Sequence, residues 1–258
     1  MSILIADDSD YVRITDNAKW TLTPVANDYS ISFYWKTTYI PSAETEYQMF
    51  FQIDNQDPGY KFVSFIIYVS GLLFLICSIR NTDYDLVGYF YTLNPTISIN
   101  TWHHMVFNSA DAGNCEIYID KVAQGITEVN WVSVGAIDPD WIFVSDGHSV
   151  YGDFNITHLT VTSNILTVAT IHQYYKDPYA CLDNPNLIAY FPMLEPAGTA
   201  HDLSPITTDG TLTDGASWDV GDDPLLGWAN KEINDIDIVY PDKISGLRTG
   251  QIRKINGV

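Results

Sequence analysis

Between Thr101 and Lys121 the chain reads TWHHMVFNSADAGNCEIYIDK, two alternating runs joined by a polar link. In the first run Trp102, His104 and Val106 fall on one face, and His103, Met105 and Phe107 on the other. In the second, Cys115, Ile117 and Ile119 oppose Glu116, Tyr118 and Asp120. Period-two alternation is what a half-buried antiparallel strand needs, because successive side chains leave opposite faces of the backbone. The link Asp111-Ala112-Gly113-Asn114 supplies residues that tolerate turn geometry. The stretch therefore predicts a hairpin in an antiparallel sheet. It also removes a tempting metal pair: His103 and His104 are adjacent, face opposite ways and cannot chelate one ion together.

Similar runs recur along the chain. Tyr11–Ile14 is a short strand behind the acidic turn Asp7-Asp8-Ser9-Asp10. Tyr29–Lys36 alternates, with Ile31, Phe33 and Trp35 on one face. Tyr47–Ile53, Leu86–Tyr91, Trp131–Val134, Trp141–Val144, Asn155–Thr162, Leu187–Met193, Gly210–Leu212 and Ser217–Val220 read as further strands. Thr167–Tyr175 is the one good helix candidate, with Val168, Ile171, Tyr174 and Tyr175 near helical spacing and Pro178 as a stop. Many short strands with hardly any helix predict an all-β fold: a two-sheet antiparallel jelly-roll sandwich with one short helix.

The most apolar stretch, Phe62–Cys77, is too short to span a bilayer, which takes about 20 apolar residues. It is also broken by Ser70-Gly71, so it predicts two buried strands around a tight turn and no membrane insertion. The chain opens Met-Ser-Ile-Leu-Ile-Ala-Asp-Asp, without the basic start of a secretion signal. A net charge of −20 argues against nucleic acid, whose phosphates demand Lys and Arg. Cys77, Cys115 and Cys181 have no metal-ligand spacing and read as reduced core residues.

The composition changes near Pro224. Residues 1–223 carry a net charge of −21, whereas residues 224–258 carry +1. Lys243-Ile244-Ser245-Gly246-Leu247 recurs as Lys254-Ile255-Asn256-Gly257-Val258. The division predicted is a sandwich over 1–223 and a C-terminal docking or oligomerisation tail over 224–258. Trp228, Ile244, Leu247, Ile252 and Ile255 are the apolar residues expected to carry assembly. The alternative is a tail that packs on its own sandwich.

Four segments in order give a family resemblance. Tyr11-Val12-Arg13-Ile14 with YSISFYWK (29–36), Trp102-His103-His104 with Tyr118-Ile119-Asp120, and ITHLTVTSNILT (156–167) with Tyr174-Tyr175 are three. The fourth is Leu187–Trp218, with Tyr190-Phe191, Asp202-Leu203-Ser204 and Gly210-Thr211-Leu212. Together they resemble the laminin-G-like branch of the concanavalin A-like jelly rolls, a group that includes the pentraxins. Lys121 stands where that family usually has Gly, and Thr157 where its closing strand often has an Asp with a structural or calcium-linked role. The closing Lys-Ile-Asn-Gly-Val resembles the ends of some bacteriophage virion and tail proteins.

The resemblance implies sites on loops. Calcium takes several oxygen ligands. Asp54, Asn55 and Asp57 lie where pentraxins carry an Asp-Asn pair, and Asp146 falls where they place a second acidic loop. The set is either a Ca2+ site or two solvated acidic loops. Sugar rings stack on aromatics flanked by polar groups, and Tyr60, Trp141, His148 and Tyr151 are the residues expected near the same rim. The paired-carboxylate run Glu-x-Asp-x-x-Glu of catalytic relatives does not occur, and Glu44 and Glu46 stand in a polar loop, so no enzyme is expected.

The expectation is thus a non-enzymatic virion structural protein, a decoration, tail or fibre subunit that contacts host-surface glycans. Its partners would be other virion proteins or identical subunits. The alternative is a calcium-dependent carbohydrate-binding or adhesion module of a cell-surface or secreted protein.

Overall fold

The computed structural model describes residues 2–5, 11–14, 28–44, 46–54, 61–80, 86–110, 114–131, 141–144, 154–194, 198–205, 207–213, 216–219 and 224. They form two antiparallel sheets with a shared core. The first sheet runs in the order β10 (Val122–Ala123), β9 (Glu116–Ile119), β8 (His103–Ser109), β3 (Tyr29–Thr37), β13 (Phe154–Thr162), β1 (Ser2–Ile5) and β16 (Ser217–Asp219). Its strand β14 (Leu187–Phe191) pairs with the far half of β13, beyond the reach of β1. The second sheet runs β11 (Thr127–Val129), β7 (Leu86–Leu93), β6 (Leu72–Arg80), β5 (Lys61–Val69), β4 (Tyr47–Asp54), β12 (Trp141–Val144), β2 (Tyr11–Ile14) and β15 (Gly210–Thr213).

The predicted jelly-roll sandwich is therefore the fold, and alternation explains most of it. Met105 and Phe107 of β8 and Cys115, Ile117 and Ile119 on and beside β9 enter the core between the sheets. Their alternates Val106 and Tyr118 face outward and are buried under the helix. The sheets are joined by aromatic contacts: Phe33 and Trp35 of β3 meet Phe50 of β4 at 5.4 and 5.3 Å, and Tyr29 meets Phe62 of β5 edge-on at 5.1 Å. Ser70 (φ 52°) and Gly71 (φ 82°) make the tight turn inside the Phe62–Cys77 run, where glycine accepts the left-handed backbone without strain.

Some boundaries differ. Ser2–Ile5, too short to signal itself, inserts between β13 and β16. Trp131 is buried and follows β11, and the rest of the expected strand Trp131–Val134 lies outside the described residues. Its indole N–H donates to the Ala110 carbonyl at 3.0 Å, and its ring meets Phe90 at 4.9 Å. A Cβ at Gly88 would stand 2.4 Å from the Asn130 carbonyl oxygen, so glycine there lets the chain leave β11 on the inner side of the sheet. The helix α1 (Val168–Lys176) is capped by Thr167, whose hydroxyl accepts from the Thr170 N–H at 3.2 Å. Pro178 opens a 3₁₀ turn, Pro178–Asp183, instead of merely ending the helix. Among the described residues no helix is long and apolar enough to cross a membrane.

Strand directions define two ends of the sandwich. Asp54, the start of β5, the end of β6 and the start of β7 lie at one. Thr37 and Tyr47 lie at the other, where the Gln48 amide donates to the Thr37 hydroxyl (3.0 Å) and the Tyr39 carbonyl (3.0 Å). The predicted tail, 224–258, lies outside the described residues except for buried Pro224.

Candidate functional site

Of the loop residues picked out by sequence, Asp54 and Trp141 are described, and they are direct backbone partners across β4 and β12. β12 then runs away from that end, so that Val144 pairs with Phe51, and β13 begins at Phe154 opposite Thr37. Segment 55–60 is therefore attached at the Asp54 end, and segment 145–153 links Val144, midway along β4, to Phe154 at the Thr37 end. Asn55, Asp57, Tyr60, Asp146, His148 and Tyr151 lie outside the described residues, as do the tail residues Trp228, Ile244, Leu247, Ile252 and Ile255. Among the described residues no cluster of three His, Cys, Asp or Glu side chains could hold a metal ion.

The two histidines of the hairpin divide as alternation requires. His103 Nδ1 lies 2.7 Å from Asp120 Oδ2, and its Nε2 accepts from the Ser98 N–H at 2.9 Å. The other Asp120 oxygen accepts from the His104 N–H at 2.9 Å. On the opposite face His104 Nε2 is 2.8 Å from the Ser32 hydroxyl, and its ring meets Tyr34 at 4.8 Å. Burial pulls the His104 imidazole down to about 3, against a smaller opposing pull from Asp120, so it is neutral at ordinary pH. Both rings serve as framework.

An aromatic layer that alternation did not reveal lies between the first sheet and the segment 166–190. The Tyr34 hydroxyl donates to the Tyr175 carbonyl at 2.6 Å, which fastens the end of α1 to the sheet. His158 (φ 53°) sits at a register shift in β13, its Nδ1 2.7 Å from the Tyr190 hydroxyl and its ring stacked on Tyr190 at 6.1 Å. A bulge redirects one side chain and leaves no periodic trace in the sequence. Its neighbour Thr157 is buried and donates to the Pro192 carbonyl at 2.6 Å, which gives this position to packing where the family often carries Asp.

The described carboxylates are mostly engaged by the chain itself. Asp202 accepts from the N–H groups of Tyr190 (3.0 Å), Ser204 (2.9 Å) and Thr208 (3.0 Å), and from the Ser204 hydroxyl (2.9 Å). Glu46 accepts from the Ser42 and Ala43 N–H groups, each at 2.9 Å, and from the Tyr39 hydroxyl, and these bonds hold its carboxyl below the usual range. Glu46 therefore closes a loop and does not stand ready as an acid.

Two solved structures share the architecture. The receptor binding domain of botulinum neurotoxin D matches with a TM-score of 0.51 and 14% identity, covering 69% of this chain and 44% of that one. The botulinum neurotoxin serotype D binding domain matches with a TM-score of 0.50 and 14% identity, covering 68% and 42%. The chain thus spans less than half the length of either, and at this identity the likeness concerns the fold. No curated protein matches the sequence. The family model for the concanavalin A-like lectin/glucanases superfamily matches residues 6–172. On that match, which covers more than half of its length, the chain belongs to the concanavalin A-like lectin/glucanases superfamily.

Proposed function

We propose that the chain is a non-enzymatic recognition module whose sandwich binds surface glycans. The observation that carries this reading is membership of a lectin-containing superfamily over residues 6–172. The fold is also that of a neurotoxin domain named for receptor binding. The binding site lies at the Asp54 end, where Trp141 is the backbone partner of Asp54 and the loop bearing Asn55, Asp57 and Tyr60 begins. An aromatic residue with carboxylate and amide residues near it in the register and the sequence has the chemistry that suits a pyranose ring, and Asp54, Asn55 and Asp57 would contribute oxygen ligands if a Ca2+ ion assists. Asp146, His148 and Tyr151 belong to a segment that starts as β12 runs away from this end, and they would act here only if that segment turns back.

The test is a glycan array with the full chain, repeated with a chelator and with Trp141→Ala. Binding that Trp141→Ala abolishes supports the site, and sensitivity to chelation adds the calcium. An array with no binding, or binding indifferent to Trp141→Ala, removes it. Release of product from a polysaccharide panel would overturn the non-enzymatic reading.

A virion setting is the second proposal, favoured by the closing Lys254-Ile255-Asn256-Gly257-Val258. Here residues 224–258 dock the subunit to identical copies or to other virion proteins. Capsid or tail genes beside this one, with particle assembly lost on deletion of 224–258, are the expected results. A chain that assembles without its tail would defeat the proposal.

A further inference from the structure

The second sheet is apolar on both faces, although only one faces the first sheet. Across its outer face the register aligns Met49, Phe65, Ile76 and Tyr91 in one row and Tyr47, Ile67, Phe74 and Leu93 in the next. Val63 and Tyr89 lie on the same face, on either side of Ser78. Met49, Val63, Phe65 and Ile76 form a buried cluster separate from the main core, and among the described residues its partly buried neighbours also come from β4, β5, β6 and β7. A polar outer face is the rule for a solvated sandwich. This one is built to be covered.

Burial is graded along the face. Val69, Leu72 and Leu93, toward the Thr37 end, are 36%, 38% and 44% exposed, while Phe65 and Val63, toward the Asp54 end, are 3% and 1%. Tyr47 meets the Phe65 ring edge-on at 6.4 Å and the Arg80 guanidinium lies 5.0 Å from it. Among the described residues, these contacts shade the Phe65 ring. The connection from β11 to β12 does not take the outer face at its start, since Asn130 and Trp131 leave on the inner side.

We propose that the outer face of β4–β7 is the seat of the chain's own residues 224–258. β16 runs from Ser217, opposite Leu4, to Asp219, opposite Ser2, and so heads toward the Asp54 end, where burial is deepest. From Asp219 the edge of the second sheet at β15 is near, and three strand spacings of about 4.8 Å separate β15 from β4. Thirty-five residues reach about 115 Å when extended, ample for the crossing. The tail also has the pattern: in Ile236-Asp237-Ile238-Val239-Tyr240, Ile236, Ile238 and Tyr240 fall on one side at period two. Its net charge of +1 against −21 for the rest favours the approach. This takes the self-packing alternative for the tail in place of docking to another subunit, and it does not depend on glycan binding, so a failed array would leave it standing.

The test places a photo-crosslinking phenylalanine analogue at Tyr91 or Phe74 in the full chain, with Val122, exposed on the other sheet, as the control position. Crosslinked peptides from 224–258 are the expected result. Crosslinks to 15–27, to the sandwich of another copy, or to nothing would overturn the proposal. A full-length Ile236→Asp/Ile238→Asp variant should keep its near-ultraviolet circular dichroism and bind a hydrophobic dye several-fold more strongly. Unchanged dye binding would count equally against the seat.

Discussion

The Tyr34 hydroxyl and the Tyr175 carbonyl, 2.6 Å apart and 141 residues apart in the chain, are the tie between the first sheet and the end of α1. The same hydroxyl is 3.2 Å from the Tyr174 carbonyl, so two carbonyls at the end of the helix share one donor. Tyr34→Phe keeps the ring against His104 and deletes only that donor. A loss of about 1–2 kcal/mol is expected, read as a lower denaturant midpoint with an unchanged slope. An unchanged midpoint would show that the tie contributes nothing.

Asp202 is a structural acceptor. Asp202→Ala would leave the buried N–H groups of Tyr190, Ser204 and Thr208 unsatisfied together. A cost of about 3 kcal/mol or more follows from the penalty for buried unpaired donors. Asp202→Asn, which retains one acceptor oxygen, should cost less. Equal midpoints for the two variants would contradict this role.

His104 makes stability depend on pH in a defined window. Its folded value, about 3, lies below the ordinary 6.5, so between these the unfolded chain binds a proton that the folded chain refuses. The contribution is complete above 6.5 and falls as pH drops toward 3, with a slope of at most about 1.4 kcal/mol per pH unit. Unfolding midpoints at pH 7 and pH 4.5 for the parent and for His104→Gln test this. The parent should lose more, and parallel losses would remove His104 as the cause.

Asp120 (φ 49°) and Lys121 (φ 65°) both hold left-handed backbone, which accounts for glycine being usual at the second position in this family. Lys121 partly offsets the strain by placing Nζ 4.8 Å from the centre of the Tyr175 ring. Lys121→Gly should therefore be neutral within about 0.5 kcal/mol, while β-branched Lys121→Val should cost about 2 kcal/mol. Thermal melts of the three proteins decide it.

The sandwich was legible because alternation at Tyr29–Lys36 and across the Trp102–Asp120 hairpin reports directly which side chains are buried. The split of the Phe62–Cys77 run at Ser70-Gly71 was legible for the same reason. What escaped follows from tertiary effects. The four residues Ser2–Ile5 carry too little pattern to announce a strand, and the hold of the Ala110 carbonyl and Phe90 on Trp131 joins segments that the sequence does not pair. The bulge at His158 and the convergence of Tyr34, Tyr179 and Tyr190 around it depend on segments far apart in the chain. For the site, loop composition named Asp54 and Trp141, and only the register showed them to be neighbours. The separate attachment of segment 145–153 comes from the direction of β12, which composition does not encode.

The position of β1 also sets a timetable for the ribosome. Ser2 is the first residue of its strand, yet the side chain that donates to its hydroxyl, Asn155, follows 153 residues later, and its other flank waits for β16. At common synthesis rates that is a delay of about 8–30 s after the strand emerges. Through that interval Ile3 and Ile5, fully buried in the finished protein, have no sheet to enter. Until then β1 is an unpaired apolar segment of the nascent chain, open to contact with its neighbours on the polysome.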